Sequence, residues 1–329
     1  MSVPLLFIDG QTVRELAPYP QLIDWVKQAM MITSSGDVEL PQRWPMPLPG
    51  DFGKLSLMPG YLGGDVQCAG VKLVSLAEPH RRKGSSHLGL TVLYDADGIV
   101  PVAILCGATI TAIRTAAASA LASDVLARKD ARNLTILGSG EQAAAHFDAF
   151  LHIREFENIC IWGRSPEKAK TFVAERQAAF SGNLWVASSV EEAVKDADII
   201  CAVTASKTPV LFGADIKQGT HVNLVGSSFK EYVEADVETV VRSRFFVDYR
   251  PSTLAEGGEF LEAVASGAVN EDHILGEIGE VIQGKCIGRQ TDDDITLYKS
   301  LGIASQDIIT AKRIFEMAKE KGLGTYVDL

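Results

Sequence analysis

The strongest constraint in this chain is a ten-residue stretch, Leu134-Thr-Ile-Leu-Gly138-Ser-Gly140-Glu-Gln-Ala143. A short apolar run leads into Gly-x-Gly-x-x-Ala, and a helical pattern follows. The three small positions have separate physical reasons. Gly138 permits a tight turn, Gly140 lets backbone approach a pyrophosphate, and Ala143 lets the helix sit close to the sheet. Free amides and the dipole at the helix N-terminus favour the phosphates. The expected fold is therefore a dinucleotide-binding α/β domain, with Gly138, Ser139, Gly140, Glu141 and Gln142 against the dinucleotide.

The surrounding pattern agrees. From Arg132 on, apolar runs at Leu134–Leu137, Asn158–Trp162, Leu184–Ala187, Ile199–Val203, Val222–Val225 and Phe245–Val247 alternate with helical stretches at Gln142–His152, Pro166–Phe180 and Val190–Asp196. Short continuous apolar strands of this kind belong to a parallel sheet covered on both faces. The first 110 residues differ. Leu5–Ile8, Lys54–Met58, Ala69–Leu76, Leu90–Tyr94 and Val100–Leu105 read as strands, Gln21–Met31 as a helix, and Asp95-Ala-Asp-Gly98 as a hairpin turn. An alanine-rich helix over Ala112–Arg128 joins the two textures, and Asp307–Lys321 reads as a helix that returns to the first region.

The second strand of the dinucleotide domain bears on which nicotinamide cofactor is used. An NAD enzyme usually places an acid about 20 residues beyond the glycine loop, on the ribose hydroxyls. Here the chain reads Trp162-Gly163-Arg164-Ser165, with Lys168 one turn on. A guanidinium pairs with a 2′-phosphate in bidentate fashion. Gly163, Arg164, Ser165 and Lys168 are expected at that phosphate, so NADPH is preferred, with NADH possible.

With 31 basic and 42 acidic residues the net charge is −11, which argues against a phosphate-backbone binder. Five cysteines without a Cys-x-x-Cys pair and six scattered histidines suggest neither a disulfide framework nor a zinc site. No apolar run is long enough to span a bilayer, and the N-terminus lacks a basic region, so a soluble cytoplasmic protein is expected. Against this acidic background three cations stand out: Arg43 in Pro-Gln-Arg-Trp-Pro, Lys72 inside the strand Gly70-Val-Lys-Leu-Val74, and Arg114 in Ile-Arg-Thr-Ala-Ala-Ala. Lys72 is bracketed by Val71 and Leu73, and Arg114 has no acid at helix spacing. A buried cation needs an anion, and an anionic substrate is one source.

Four stretches together resemble the ornithine cyclodeaminase/mu-crystallin family over nearly the whole chain. They are Gly70–Val74, Thr111–Ser119, the glycine loop, and Gly288-Arg-Gln-Thr-Asp-Asp-Asp-Ile-Thr-Leu-Tyr-Lys-Ser-Leu-Gly-Ile-Ala304. The resemblance implies an α/β fold in which a Rossmann domain (residues 113–302) is inserted into a strand-rich α+β domain (1–112 plus 303–329) that binds substrate and forms a homodimer. It implies that Arg43, Lys72 and Arg114 converge on a substrate carboxylate, and that Thr115, Val203, Thr204, Val225 and Thr291 lie near the cofactor. The acids Asp292–Asp294 are expected to cap a helix rather than bind metal.

Departures from the family pattern narrow the implied reaction. Cyclodeaminases of the family carry an aspartate where this chain has Ser228 and a glutamate where it has Ser56. Without those acids the chain is more similar to the family's ketimine reductases, which reduce Δ1-pyrroline-2-carboxylate and Δ1-piperideine-2-carboxylate to L-proline and L-pipecolate. In that reading Arg43 and Arg114 orient the carboxylate, and Lys72 clamps it and donates a proton. Ser228 bonds the substrate nitrogen or a water, Ser56 lines the site, and Glu256 stands at its rim. An alanine-dehydrogenase-type enzyme, an ornithine cyclodeaminase and a mu-crystallin-like binding protein remain as alternatives. No metal, nucleic acid or membrane partner is expected.

Overall fold

The computed structural model describes residues 4–50, 52–77, 87–95 and 99–328. The turn expected at Asp95–Gly98 falls largely outside them. The chain forms two compact units, one made of residues 1–114 and 303–329 and the other of residues 115–302.

In the first unit the order is β1 (Pro4–Ile8), α1 (Gly10–Leu16), α2 (Tyr19–Ser34), β2 (Val38–Glu39), β3 (Trp44–Leu48), β4 (Gly53–Leu62), β5 (Cys68–Leu76), β6 (His87–Asp95) and β7 (Val100–Cys106). α3 (Gly107–Leu126) then carries the chain into the second unit. The eight-stranded sheet of the first unit is closed at one edge by β16 (Thr325–Asp328), in the order β16-β1-β7-β6-β5-β4-β2, with β3 also on β4. All its pairs are antiparallel except β1 with β7. The returning helix α11 (Ala304–Lys321) packs on β4, β5 and β6 and against α2. It ends in a left-handed glycine, Gly322 at φ 65°, whose amide donates to Ala318 and Lys319 carbonyls, as glycine C-caps do.

The second unit contains β8 (Asn133–Leu137), α4 (Glu141–Phe150), β9 (Asn158–Trp162), α5 (Pro166–Arg176), β10 (Asn183–Val186), α6 (Val190–Val194), β11 (Ile199–Ala202) and β12 (His221–Leu224). It continues with α7 (Val237–Val241), β13 (Ser243–Val247), α8 (Arg250–Glu256), α9 (Gly258–Ala265), β14 (Ile274–Glu277), α10 (Ile278–Ile282) and β15 (Ile295–Lys299). Its eight strands are all parallel, in the order β10-β9-β8-β11-β12-β15-β13-β14. β11, β12 and β15 are buried at every residue, so side chains on both faces are covered. Strand order reverses between β8 and β11, and ligands of open α/β sheets bind at such a reversal, beyond the C-terminal strand ends. The chain is thus an α/β protein with a doubly wound parallel sheet. No helix among the described residues is long and apolar enough to cross a membrane.

Two features depart from the sequence reading. β3 carries Pro45 and Pro47, which remove two ladder donors, and it pairs on one side only, with β4, where proline is tolerated. Asp292–Asp294 do not begin a helix. They precede β15, and Asp294 closes a turn by accepting from the Gln290 and Thr291 amides at 2.7 and 3.1 Å.

Candidate active site

β5 places Lys72 on the sheet face covered by α11, directly opposite Thr91 of β6 and Met58 of β4. Lys72 and Arg114 are 3% and 4% exposed. They do not lack a protein anion, contrary to the sequence expectation. Asp307 of α11, fully buried, lies 3.2 Å from Lys72 Nζ and 3.0 Å from Arg114 Nε. Arg114 Nη1 also donates to Gln306 Oε1 at 3.0 Å. The partner was invisible locally because it lies 235 residues from Lys72.

The cluster still carries two cations for one carboxylate. Burial pushes the Lys72 ammonium down to about 7, Asp307 opposing and the Arg114 and Arg43 guanidinium groups assisting. Burial opposes ionisation of Asp307, but Arg114 and Lys72 together hold its carboxyl below the usual range. Arg43 is half-buried just before β3. Polar groups at the same cluster are unsatisfied. Gln306 Nε2, Thr91 Oγ1 and Ser56 Oγ are buried and lack a hydrogen-bond partner among the described residues. Ser56 shares the Lys72 face, pairing with Val74 two residues along β5. Buried polar groups are normally satisfied, and these three face a surplus of positive charge. A small carboxylate would answer both.

The second unit presents the glycine loop at the reversal of its sheet. Gly138 has φ 142°, and a Cβ there would meet Val203 Cγ2 at 2.8 Å and Val203 O at 3.0 Å. At Gly140, the N-cap of α4, a Cβ would meet nothing within 4 Å. No side chain caps that helix end, and the space beside Gly140 is open among the described residues, as close approach of a pyrophosphate requires. Ala143 is fully buried. After β9, Gly163 packs on Ser139 Oγ, where a Cβ would come within 2.9 Å. Arg164 and Lys168 are exposed. Ser165 caps α5, accepting from the Lys168 amide at 3.4 Å and donating to Glu167 Oε2 at 3.2 Å. A carboxylate, that of Glu167 in the first turn of α5, therefore stands beside Ser165. These residues fit a dinucleotide.

Of the other expected cofactor residues, Thr115 is buried in α3, and Val203, Thr204 and Val225 follow β11 and β12 at the same sheet end as the glycine loop. Thr291 does not. It precedes β15 and so stands at the N-terminal end of the parallel sheet, where Asp294 Oδ1 accepts from its hydroxyl at 2.8 Å. The family resemblance implied a place near the cofactor, whereas strand direction separates it from the loop. Glu256 ends α8 and is half-buried.

The pair Ser227-Ser228 divides its roles. Ser227 is buried, donating to Glu259 Oε1 at 2.5 Å and accepting from Lys299 Nζ at 2.5 Å. Ser228 is half-buried and makes no hydrogen bond with the described residues. Lys299 and Glu259, both fully buried, form an ion pair at 2.8 Å. Glu234 is buried beside them, with its amide donating to Glu259 Oε1 at 2.9 Å. Sequence reasoning missed Glu234, Glu259, Lys299, Gln306, Asp307 and Thr91. A usable signal existed for Lys299, a charge within an apolar stretch.

Comparison with known proteins agrees with this geometry. The family model for the ornithine cyclodeaminase/mu-crystallin family matches residues 7–322. A Δ1-pyrroline-2-carboxylate reductase of Bacillus cereus is 32% identical over 326 residues, covering 98% of this chain and 100% of the relative. The ketimine reductase mu-crystallin of Mus musculus is 36% identical over 282 residues, covering 85% and 86%. The solved structure of Thermococcus litoralis Δ1-pyrroline-2-carboxylate reductase, in complex with NADH and L-proline, superposes with a TM-score of 0.94 at 34% identity. It covers 98% of this chain and 100% of that one. Matched by the family model over residues 7–322 and by relatives more than 30% identical over most of its length, the chain belongs to the ornithine cyclodeaminase/mu-crystallin family.

Proposed function

We propose that this protein reduces a cyclic imino acid, Δ1-pyrroline-2-carboxylate or Δ1-piperideine-2-carboxylate, to L-proline or L-pipecolate. The observation that carries the reading is the buried Lys72–Asp307–Arg114 cluster, with one more cation than anion and unsatisfied Gln306 and Thr91 groups beside it. The names of its full-length relatives agree. A bound reduced nicotinamide supplies the hydride. Arg114 and Arg43 orient the substrate carboxylate, with Gln306 Nε2 and Thr91 Oγ1 as further donors. Lys72, with its depressed pKa, holds a proton that it releases near neutrality. Ser228 offers its unengaged hydroxyl to the substrate nitrogen. Ser56 and Ser228, both neutral, stand where a cyclodeaminase carries acids, which supports reduction over deamination.

Gly138 to Gln142, with Gly163, Arg164, Ser165 and Lys168, hold the dinucleotide. Exposed Arg164 and Lys168 favour NADPH, with NADH also accepted. A cytoplasmic homodimer fits the sheet of the first unit. Phe7, Trp44, Leu88 and Leu90 lie on the face away from α11 and are 42%, 61%, 53% and 40% exposed, an apolar surface that a second copy would cover. Sedimentation of wild type and a Leu90→Asp variant tests it, and an unaltered monomer in both would refute it.

The reaction is tested by following cofactor absorbance with NADPH or NADH and each imino acid. Parallel arms use pyruvate with ammonia, and ornithine with NAD+. Oxidation of NAD(P)H by the imino acids is expected. Ammonia release from ornithine without imine reduction would overturn the reading.

A further inference from the structure

The buried network of the second unit makes no contact that the mechanism above uses, yet it lies beneath the cofactor end of the sheet. Glu234 Oε1 accepts from the Thr204 amide at 2.6 Å and the Thr204 hydroxyl at 2.8 Å, while Oε2 accepts from the Gly226 amide at 2.6 Å. Thr204 follows β11 and Gly226 follows β12, so one carboxylate ties together the C-terminal ends of two neighbouring strands. The junction is tight. A Cβ at Gly226 would meet Thr204 O at 1.7 Å and Glu234 Oε1 at 2.7 Å. Behind it, Glu259 is held by Lys299 Nζ at 2.8 Å, by the Ser227 hydroxyl and by the Glu234 amide. Two carboxylates and one ammonium occupy this buried space.

The position of this charge follows from the topology. Arg164 follows β9, on one side of the strand-order reversal, and on the reading above it holds the adenosine half there. The nicotinamide half of a dinucleotide crosses to the other side, over the ends of β11 and β12, which are the ends Glu234 joins. The dihydronicotinamide ring is neutral, and losing hydride to the imine carbon leaves it with a positive charge. Buried charges interact across low dielectric more strongly than exposed ones.

We propose that Glu234, backed by Glu259, is a positioning residue that sets the cofactor's redox preference. It fixes the Thr204 and Gly226 loops under the nicotinamide, and the surplus negative charge of its cluster favours the oxidised, cationic ring over the reduced one. This rests on the nicotinamide reading above but not on the identity of the imino acid. Burial, with the neighbouring Glu259, pushes the Glu234 carboxyl up to about 7, against Lys299 and the Thr204 donors, so the cluster's surplus charge is fully developed above that pH, and a cationic ring nearby draws the carboxyl towards ionisation.

The test measures dissociation constants of NADPH, NADP+, NADH and NAD+ on the full-length protein without substrate, by fluorescence and calorimetry. Glu234→Gln and Glu259→Gln each remove one charge with little change in shape. Each is expected to weaken the oxidised forms roughly tenfold, the order of one partly buried unit charge, while the reduced forms change far less. Equal weakening of both redox forms would reduce the network to a structural support and overturn the proposal. If Glu234→Gln does not fold, Glu259→Gln decides alone. Wild-type protein that binds no dinucleotide would refute the nicotinamide reading itself, whereas tight binding with no imine reduction would refute only the substrate.

Discussion

Asp307 Oδ1 lies 3.2 Å from Lys72 Nζ, a fully buried contact between the returning helix and a central strand. It explains how a lysine stays among apolar strands without losing its proton altogether. Burial lowers the Lys72 pKa to about 7 while Asp307 pulls it back up. If Lys72 is the proton source, the active form is the protonated one. kcat/KM should therefore fall as pH rises through about 7, tending to tenfold per pH unit. A pH–rate profile between 5.5 and 9 checks this, and a flat alkaline limb would remove Lys72 from that role.

Asp307→Asn keeps the volume and removes the charge, leaving Lys72 and Arg114 buried with no carboxylate between them. Stranding buried charge costs on the order of 3–5 kcal/mol, read as a drop in the urea midpoint. Lys72 should lose protons more readily in the variant, moving the alkaline limb to lower pH. A midpoint equal to wild type would mean the pair contributes nothing to the fold.

Arg114→Lys preserves charge but not shape. The guanidinium bonds Asp307 through Nε and Gln306 through Nη1, a fork an ammonium cannot reproduce. Imino-acid turnover should drop by about 10²-fold, while NADPH affinity without substrate stays near wild type. Near-normal kcat/KM in Arg114→Lys would show that only charge matters there.

The parallel sheet was readable because each of its early strands is a local apolar run followed by helical periodicity, and because the glycine loop marks where chain direction and ligand meet. β15 was harder. Ile295–Lys299 ends in a charge, and its burial depends on Glu259, a residue distant in the chain. β3 was hidden by Pro45 and Pro47, which local propensity counts against a strand. The cations Lys72 and Arg114 were visible as anomalies, but their anion was not. Asp307 sits one turn into a helix, where an acid ordinarily signals favourable dipole chemistry, and only tertiary packing reveals that it answers cations 193 and 235 residues away. Thr291 shows the converse. A motif can be recognised and still be assigned to the wrong end of a sheet when the intervening strand is missed.

Arg164→Ala tests the cofactor preference. Arg164 is exposed and makes no ion pair with the described residues, so its loss should leave folding intact. The KM for NADPH should rise roughly tenfold or more, as for a lost charge-assisted phosphate contact, while that for NADH changes little. Parallel changes in both would place Arg164 on the adenine rather than on a 2′-phosphate.

His146 provides a test of stability independent of catalysis. It is fully buried, with Nδ1 2.8 Å from the Gln142 carbonyl and Nε2 2.9 Å from Ser119 Oγ. Burial pushes its pKa down to about 4, the Gln142 carbonyl opposing. The folded pKa lies below the unfolded value of 6.5, so the unfolded chain takes up a proton first as pH falls. The stabilisation is present above 6.5 and is lost as pH drops towards 4, by about 2 kcal/mol between pH 6.5 and 5. His221, pushed down to about 3 by burial and then by Arg289, adds a loss of the same sign. Urea midpoints at pH 7.5, 6 and 5 should fall more steeply for wild type than for His146→Gln, whose side chain cannot titrate. Only the difference between the two curves belongs to His146, because Glu234, with its raised pKa, contributes the opposite slope to both. Identical slopes would mean that His146 is protonated in the folded protein or reaches solvent before global unfolding.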